Sequence, residues 1–384
     1  FICYEAVVAS FVKINPNLGG SMYQLKDNKK VSSTTRRQFL QSSIAVTGIA
    51  VIGFPGIVRS ASERKIVIRD PGGPFTPGFA KAFYKPFKEA TGITAVGVQG
   101  QHEPTGLIRA MVESKNYTWD MALLSKSSHQ SLVNIGYLEP IDPKGGPGPQ
   151  LSQIPENMRT EFLMGTDVYS TLMAYRTDVV KKPPKTWKDF WDVSAFPGIR
   201  SMRKHPFDTI EFALMADGVA PDALYPIDFD RAFRSLDRIK KDVDIWWTGG
   251  AQTSQLLKTG EVDMLYTWNG RAQVAIDDGA PVALNWNQAM WTFEGWSILK
   301  GTPQLDLCRE FIEFCASGEA QARYTPHVAY GPTNPSAYNY VDPERAKVLP
   351  TNPKYLKNMI EVDTDYWGKN KESAGERFQA WLLS

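Results

Sequence analysis

The sequence predicts an α/β fold arranged as two lobes. Two observations point there. From Lys65 to Leu124, short apolar strands alternate with amphipathic stretches, as in a sheet flanked by helices. Beyond the first sixty or so residues about 320 remain, more than one hydrophobic core usually serves.

The chain opens with a segment of a different kind. Residues 33–41 read S-T-T-R-R-Q-F-L-Q, and an apolar run from Ile44 to Val58 follows. Paired Arg36 and Arg37, then Phe39 and Leu40, match the twin-arginine export signal of bacteria. The run is broken by Gly48, Gly53, Pro55 and Gly56, too short for a bilayer span of about 20 apolar residues. Ser60 and Ala61 offer a cleavage site. Residues 1–61 are therefore expected to be a signal segment, those before Met22 being upstream of a plausible start. The protein is expected to reach the periplasm through the twin-arginine translocase.

The elements then follow in order. Lys65–Arg69 is a strand ending in the turn Asp70-Pro-Gly-Gly-Pro74, and a helix is expected from Phe79 to Ala90, stopped by Thr91-Gly92. Ile93–Val98 is a strand, Glu103–Ser114 a helix, and Trp119–Leu124 a strand. Gly and Pro between Asp142 and Gln150 mark a loop. Tyr169–Tyr175 alternates like a strand, and helices are expected at Trp187–Asp192, Asp208–Ala216 and Phe229–Lys240. Gly249-Gly250 opens a further helix closed by Gly260. Val262–Trp268 and Phe293–Leu299 are strands, a helix carries Cys308 and Cys315, and helices close the chain.

Composition excludes several classes. Lys and Arg total 43 against 41 Asp and Glu, but seven of the bases and two of the acids lie in the first sixty residues. The remainder is near −3, with no basic stripe for nucleic acid. The four histidines (His102, His129, His205, His327) have no metal-ligand spacing. Cys308 and Cys315 lie seven apart on one helix, about 10 Å between Cα atoms, beyond disulfide reach. No nucleotide fingerprint, metal motif or nucleophile elbow is present, so no cofactor is expected.

Six motifs in register carry a family resemblance: F-K-E-A-T-G-I at 87–93, Y-T-W-D-M-A-L-L at 117–124, N-I-G-Y-L-E-P-I-D at 134–142, K-T-W-K-D-F-W-D at 185–192, G-E-V-D-M-L-Y-T-W-N-G at 260–270 and Y-G-P-T-N-P at 330–335. The chain resembles a bacterial extracellular solute-binding protein of the spermidine/putrescine-binding type, the receptor of an ABC importer. The resemblance implies the type II periplasmic-binding-protein fold, its ligand gripped between lobes joined by crossing strands. Lobe 1 is expected over 62–172 and 293–340, lobe 2 over 173–292 and 341–384. A monomeric receptor of a small-molecule ligand, working with permease and ATPase subunits and catalysing nothing, is the function implied.

Residues supply the candidate site. Asp208 and Glu211, three apart at the start of a predicted helix, would share a face and suit a protonated amine; they match a family pair that binds ligand nitrogens. Trp268 and Tyr330 match a cleft Trp and Tyr. Ser125 and Ser127 follow a strand at a cleft edge. Glu294 and Trp296 stand, in exchanged order, in the late crossing strand, and Asp70 follows the first strand where the family carries aromatics. Arg203 and Arg271 adjoin the site segments and would suit an anionic ligand end. The expected ligand is a polyamine such as putrescine or spermidine, with an ω-amino acid such as 4-aminobutyrate as the alternative. A secreted enzyme exported by the same route is the alternative from another class.

Overall fold

The computed structural model describes residues 64–100, 104–142 and 146–384; the expected export signal with Arg36 and Arg37 lies outside them. The strands, in chain order, are β1 (Lys65–Asp70), β2 (Thr94–Gln99), β3 (Met121–Ser125), β4 (Leu138–Glu139), β5 (Arg159–Thr160) and β6 (Leu163–Arg176). They continue as β7 (Arg200–Arg203), β8 (Ile245–Trp247), β9 (Met264–Trp268), β10 (Val282–Leu299), β11 (Gly331–Pro332) and β12 (Ile360–Glu361). Among the described residues they join in one sheet, whose main path runs β2-β1-β3-β10-β6-β9-β7-β8.

The two ends of that path are parallel: β1 pairs with β2 and β3, and β7 with β8 and β9. Strands β6 and β10 between them are long and antiparallel, paired from Val282↔Arg176 to Trp296↔Met164 with register shifts between Asn285 and Met290 and between Glu294 and Gly295. The expected strands Tyr169–Tyr175 and Phe293–Leu299 are portions of these longer ones.

Helices cover the sheet. α1 (Phe75–Phe79), a π turn at Ala80–Tyr84 and α2 (Lys85–Thr91) run on as one helical stretch, ended by Gly92 at φ 74. It starts four residues before the expected Phe79, since helical backbone already begins at Pro74. Then come α3 (Thr105–Ser114), α4 (Lys126–Asn134), α5 (Trp187–Trp191), α6 (Pro206–Ala216), α7 (Phe229–Ile239), α8 (Gly250–Thr259) and α9 (Asn269–Asp277). α10 (Leu305–Ala316), α11 (Gly318–Tyr324), the single turns α12 (Pro343–Ala346) and α13 (Pro353–Leu356), and α14 (Thr364–Leu383) complete the chain.

Two main cores result. One gathers Ile66, Phe79, Phe83, Phe87, Trp296, Phe311 and Tyr324, with Cys308 and Cys315 buried as free thiols. The other gathers Trp187, Phe212, Trp247, Tyr266, Trp367 and Phe378. The crossing strands enter both: Leu172 and Phe293 pack in the first, Met173 and Met290 in the second. The C-terminal segment also divides, since Met359 joins the first core and Val362 the second.

The crossing pair is interrupted between Asn285 and Met290, where Gln288 adopts φ 57. Trp187 pins this break. Its indole Nε1 donates to the Gln288 carbonyl at 3.0 Å, its backbone N–H donates to Gln288 Oε1 at 3.1 Å, and its ring stacks on Phe212 at 3.7 Å. Trp187 is 1% exposed, so truncation leaves a cavity beside the strand break. Trp187→Ala should cost about 3–5 kcal/mol in urea unfolding. A loss below about 1 kcal/mol would show that the indole does not anchor this junction.

Candidate functional site

Between the two cores lies a cleft of about 500 Å³. Its wall is assembled from remote parts of the chain: the loop Pro71–Pro74 with Phe75, the start of α4, the crossing strands, the end of β7, the starts of α8 and α9, Tyr330 and α14.

Cationic groups concentrate where β7, α8 and α9 meet. Arg203 ends β7 and lays its guanidinium over Trp268 at 5.0 Å and Trp247 at 5.6 Å. Arg271 stands in the first turn of α9. A Cβ at Gly250 would come within 2.7 Å of Arg271 Nε and 2.9 Å of the Trp268 ring, so only glycine lets α8 start this close. The cap of α8, Gly249, has no side chain to cover the first-turn amides, and Thr248, Gly249 and Ala251 all line the cleft. Two guanidinium groups and a helix N-terminus thus favour an anionic group here.

The acidic and aromatic lining lies along β6 and β10. Glu294 on β10, 2% exposed, is in register with Ser125 and Asp167. Ser125 caps α4, accepting from Ser128 N–H at 3.2 Å, with its oxygen 3.1 Å from that of Ser127. Aromatic rings join the two regions. Trp268 meets Tyr169 at 6.4 Å, Tyr169 meets Tyr330 at 5.6 Å, and Tyr330 meets Phe75 at 6.0 Å. Among the described lining residues Glu294 is the one carboxylate, against Arg203, Arg271 and Lys371.

Ser125, Ser127, Arg203, Trp268, Arg271, Glu294 and Tyr330 are therefore brought together. Four expected residues are not on the wall. Trp296 is fully buried in the first core, edge-on to Phe79 and Phe83 at 5.1 and 4.9 Å. Asp70 is fully buried and accepts from Gly72 N–H and Thr76 Oγ1, holding the loop after β1. Asp208 and Glu211 lie beneath the floor, at 1% and 0% exposure.

The helical spacing expected of that pair fails for a local reason. Phe207 (ψ 134) and Asp208 (φ 69, ψ −44) are not helical, so α6 kinks there and its N-cap is His205. Asp208 accepts from Thr171 Oγ1 at 3.1 Å and faces Arg203 at 3.4 Å. Glu211 accepts from Trp367 Nε1 at 2.6 Å and Tyr225 Oη at 2.8 Å. Burial raises both carboxyl groups: Asp208 to about 6 despite Arg203, and Glu211 to about 7, with Asp208 adding repulsion.

Several lining residues were not expected: Phe75, Tyr169, His205, Phe207, Thr248, Trp367 and Lys371. Each lies in an ordinary strand, turn or helix of the sequence, and only the sheet order gathers them. One clue was available at Phe75, the aromatic residue that follows the turn after β1.

This two-lobe arrangement around an interlobe cleft is that of a binding protein. Residues 82–355 match the family model of the bacterial extracellular solute-binding proteins, and the chain belongs to that family. It is 31% identical over 345 residues, 88% of this chain and 96% of the relative, to the gamma-aminobutyric acid-binding protein of Pseudomonas aeruginosa. Three solved structures are similar, each over 83% of this chain. An ABC transporter substrate-binding protein of Bradyrhizobium japonicum is 35% identical, with TM-score 0.78 over 99% of its length. The binding protein AgtB of A. tumefaciens R10, in complex with agropinic acid, is 33% identical, with TM-score 0.71 over 99% of its length. The Atu4243-GABA receptor is 32% identical, with TM-score 0.74 over 97% of its length. The chain is thus a solute-binding component of the kind that serves ABC transporters.

The buried pair has a consequence for stability. Glu211 keeps its proton in the fold where the unfolded chain has lost it. Its contribution is fully present below the ordinary glutamate value and fades as pH rises through about 7. Unliganded protein should therefore lose on the order of 2 kcal/mol between about pH 5 and pH 8. Glu211→Gln should flatten much of that slope in urea unfolding, and a slope unchanged by the substitution would contradict the assignment.

Proposed function

We propose that the chain is the periplasmic receptor of an ABC importer for an ω-amino acid of the 4-aminobutyrate type. One observation carries this reading: the described cleft wall sets two arginines and an uncovered helix start beside aromatic rings, with Glu294 as its carboxylate. A carboxylate fits against Arg203, Arg271 and the start of α8, an alkyl chain along Trp268, Tyr169 and Tyr330, and an ammonium group against Glu294. A polyamine would bring only ammonium groups to a wall that carries Arg203, Arg271 and Lys371. The names of the Pseudomonas relative and of the GABA receptor favour the ω-amino acid as well. The family is one of binding proteins, which supports capture over catalysis. Delivery would be to permease and ATPase subunits after export through the translocase that reads Arg36-Arg37.

Titration calorimetry across 4-aminobutyrate, putrescine and spermidine tests the ligand. The zwitterion should bind and the amines should not. Arg203→Gln and Glu294→Gln should each weaken binding tenfold or more, since a charge-assisted hydrogen bond contributes about 1.5–3 kcal/mol and one decade is about 1.4. Diamine binding in place of the zwitterion would overturn the assignment.

Closure about the crossing strands should accompany binding. Small-angle scattering at saturating 4-aminobutyrate should show a smaller radius of gyration than the unliganded protein. An unchanged radius would rule out hinge closure.

A further inference from the structure

Asp208 and Glu211 are too elaborately held for simple core residues. Asp208 sits at φ 69, ψ −44, close to the strained classic γ-turn and disfavoured for any residue with a Cβ. Its side chain is buried and faces Arg203, a cleft cation, at 3.4 Å. Three residues on, Glu211 is fully buried and takes the indole proton of Trp367, another cleft residue, at 2.6 Å; its Oε2 has no hydrogen-bond partner. Two coupled carboxyl groups out of water, with a guanidinium against Asp208 alone, cannot both be charged at low cost.

We propose that Asp208 and Glu211 form a positioning pair, one member of which stays protonated, with Asp208 holding Arg203 and Glu211 holding Trp367 in the cleft wall, so that solute binding is linked to proton uptake. The proposal rests on the assignment of the ligand carboxylate to Arg203. When that carboxylate engages Arg203, Asp208 loses part of its neutralising partner. The pair then retains its proton more tightly, which ties the two equilibria together by linkage. Affinity is highest while the pair is protonated and falls as pH rises through neutrality.

The surroundings of the pair contain few competing groups. Arg203 from β7, Tyr169 and Thr171 from β6, and Tyr266 from β9 face Asp208. Tyr225 and, on α14, Tyr366 and Trp367 face Glu211. The tyrosines are all raised above their ordinary value by burial, so they do not titrate near neutrality. His205, the cap of α6, also stands in this neighbourhood, its Nδ1 accepting from Phe207 N–H at 3.2 Å.

The experiment is calorimetric titration of the full chain with 4-aminobutyrate between about pH 5.5 and 8.5, in buffers of different ionisation enthalpy, which counts protons taken up. Wild type should take up a fraction of a proton and weaken roughly tenfold across the range. Glu211→Gln, which mimics the protonated acid, should keep the low-pH affinity and flatten the profile. Asp208→Gly suits the backbone angle but removes the carboxylate, so it should fold and bind about tenfold more weakly. A slope that persists in Glu211→Gln but vanishes in His205→Gln, or full affinity in Asp208→Gly, overturns the proposal.

If wild type binds no ω-amino acid, the ligand assignment fails, and the pair is still read in unliganded protein. The Trp367 indole N–H resonance should titrate near neutrality in wild type and not in Glu211→Gln. A wild-type resonance that does not move overturns the proposal.

Discussion

Strands β6 and β10 are the constraint on which the rest of the structure depends. They pair antiparallel over most of their length and supply side chains to both main cores. Each parallel end of the sheet is completed by helices that bury its faces, but neither end is independent of this central pair. The cleft must open where the two cores part, and there the crossing strands form its back. Tyr169 and Glu294 occupy that back, so they are fixed by the sheet ladder and not by loops. The break at Gln288, clamped by Trp187, interrupts the ladder on the far side of the same pair. A second register shift falls at the site itself, between Glu294 and Gly295, so the ladder changes step on both sides of the paired segment Met290–Glu294.

Charge placement in the cleft follows from how costly unpaired charge is out of water. Arg203 is not left alone: aromatic faces lie on its planar group and Asp208 stands behind it. Glu211 behind Trp367 likewise turns an indole into an anchored wall. Side chains held from behind in this way lose little freedom when a solute arrives, which favours affinity. The strain at Asp208 is offset by the contacts its carboxylate makes, a common arrangement at binding sites.

Much of the fold was legible because it rests on local pattern. Apolar runs, glycine stops and Pro/Gly turns located β1, α3, α7, α8 and the helix of Cys308 within a few residues. Elements that lack such a pattern were missed. α4 reads K-S-S-H-Q-S-L-V-N, polar and rich in serine, and α9 begins N-G-R. Strands β7 and β8 are three or four residues long and are made stable by their neighbours alone. The site was legible only in part. Motif matching pointed to Trp268 and Tyr330, adjacency to the site segments to the two arginines, and a departure from the family stretch to Glu294, whereas Phe207, Trp367 and Lys371 reach the cleft through long-range topology that no local spacing encodes.

The case of Asp208 and Glu211 shows where such inference breaks. An i, i+3 pair shares a face only if every residue between follows helical angles. Here the chain leaves the helical region at Phe207 and Asp208, and the turn carries Asp208 under the floor toward Thr171. Nothing in P-F-D-T-I-E announces this, because positive φ is usually signalled by glycine or asparagine. The carboxylates expected to line the cleft lie behind it instead, against two of its lining residues, Arg203 and Trp367. Their burial alters the chemistry of the wall: what lines the cleft near β7 is the guanidinium that Asp208 faces. Where two acids were expected to face a cation, the wall instead presents an arginine backed by Asp208 and an indole backed by Glu211. The sequence composition is the same in both cases, and the kink at one residue decides between them.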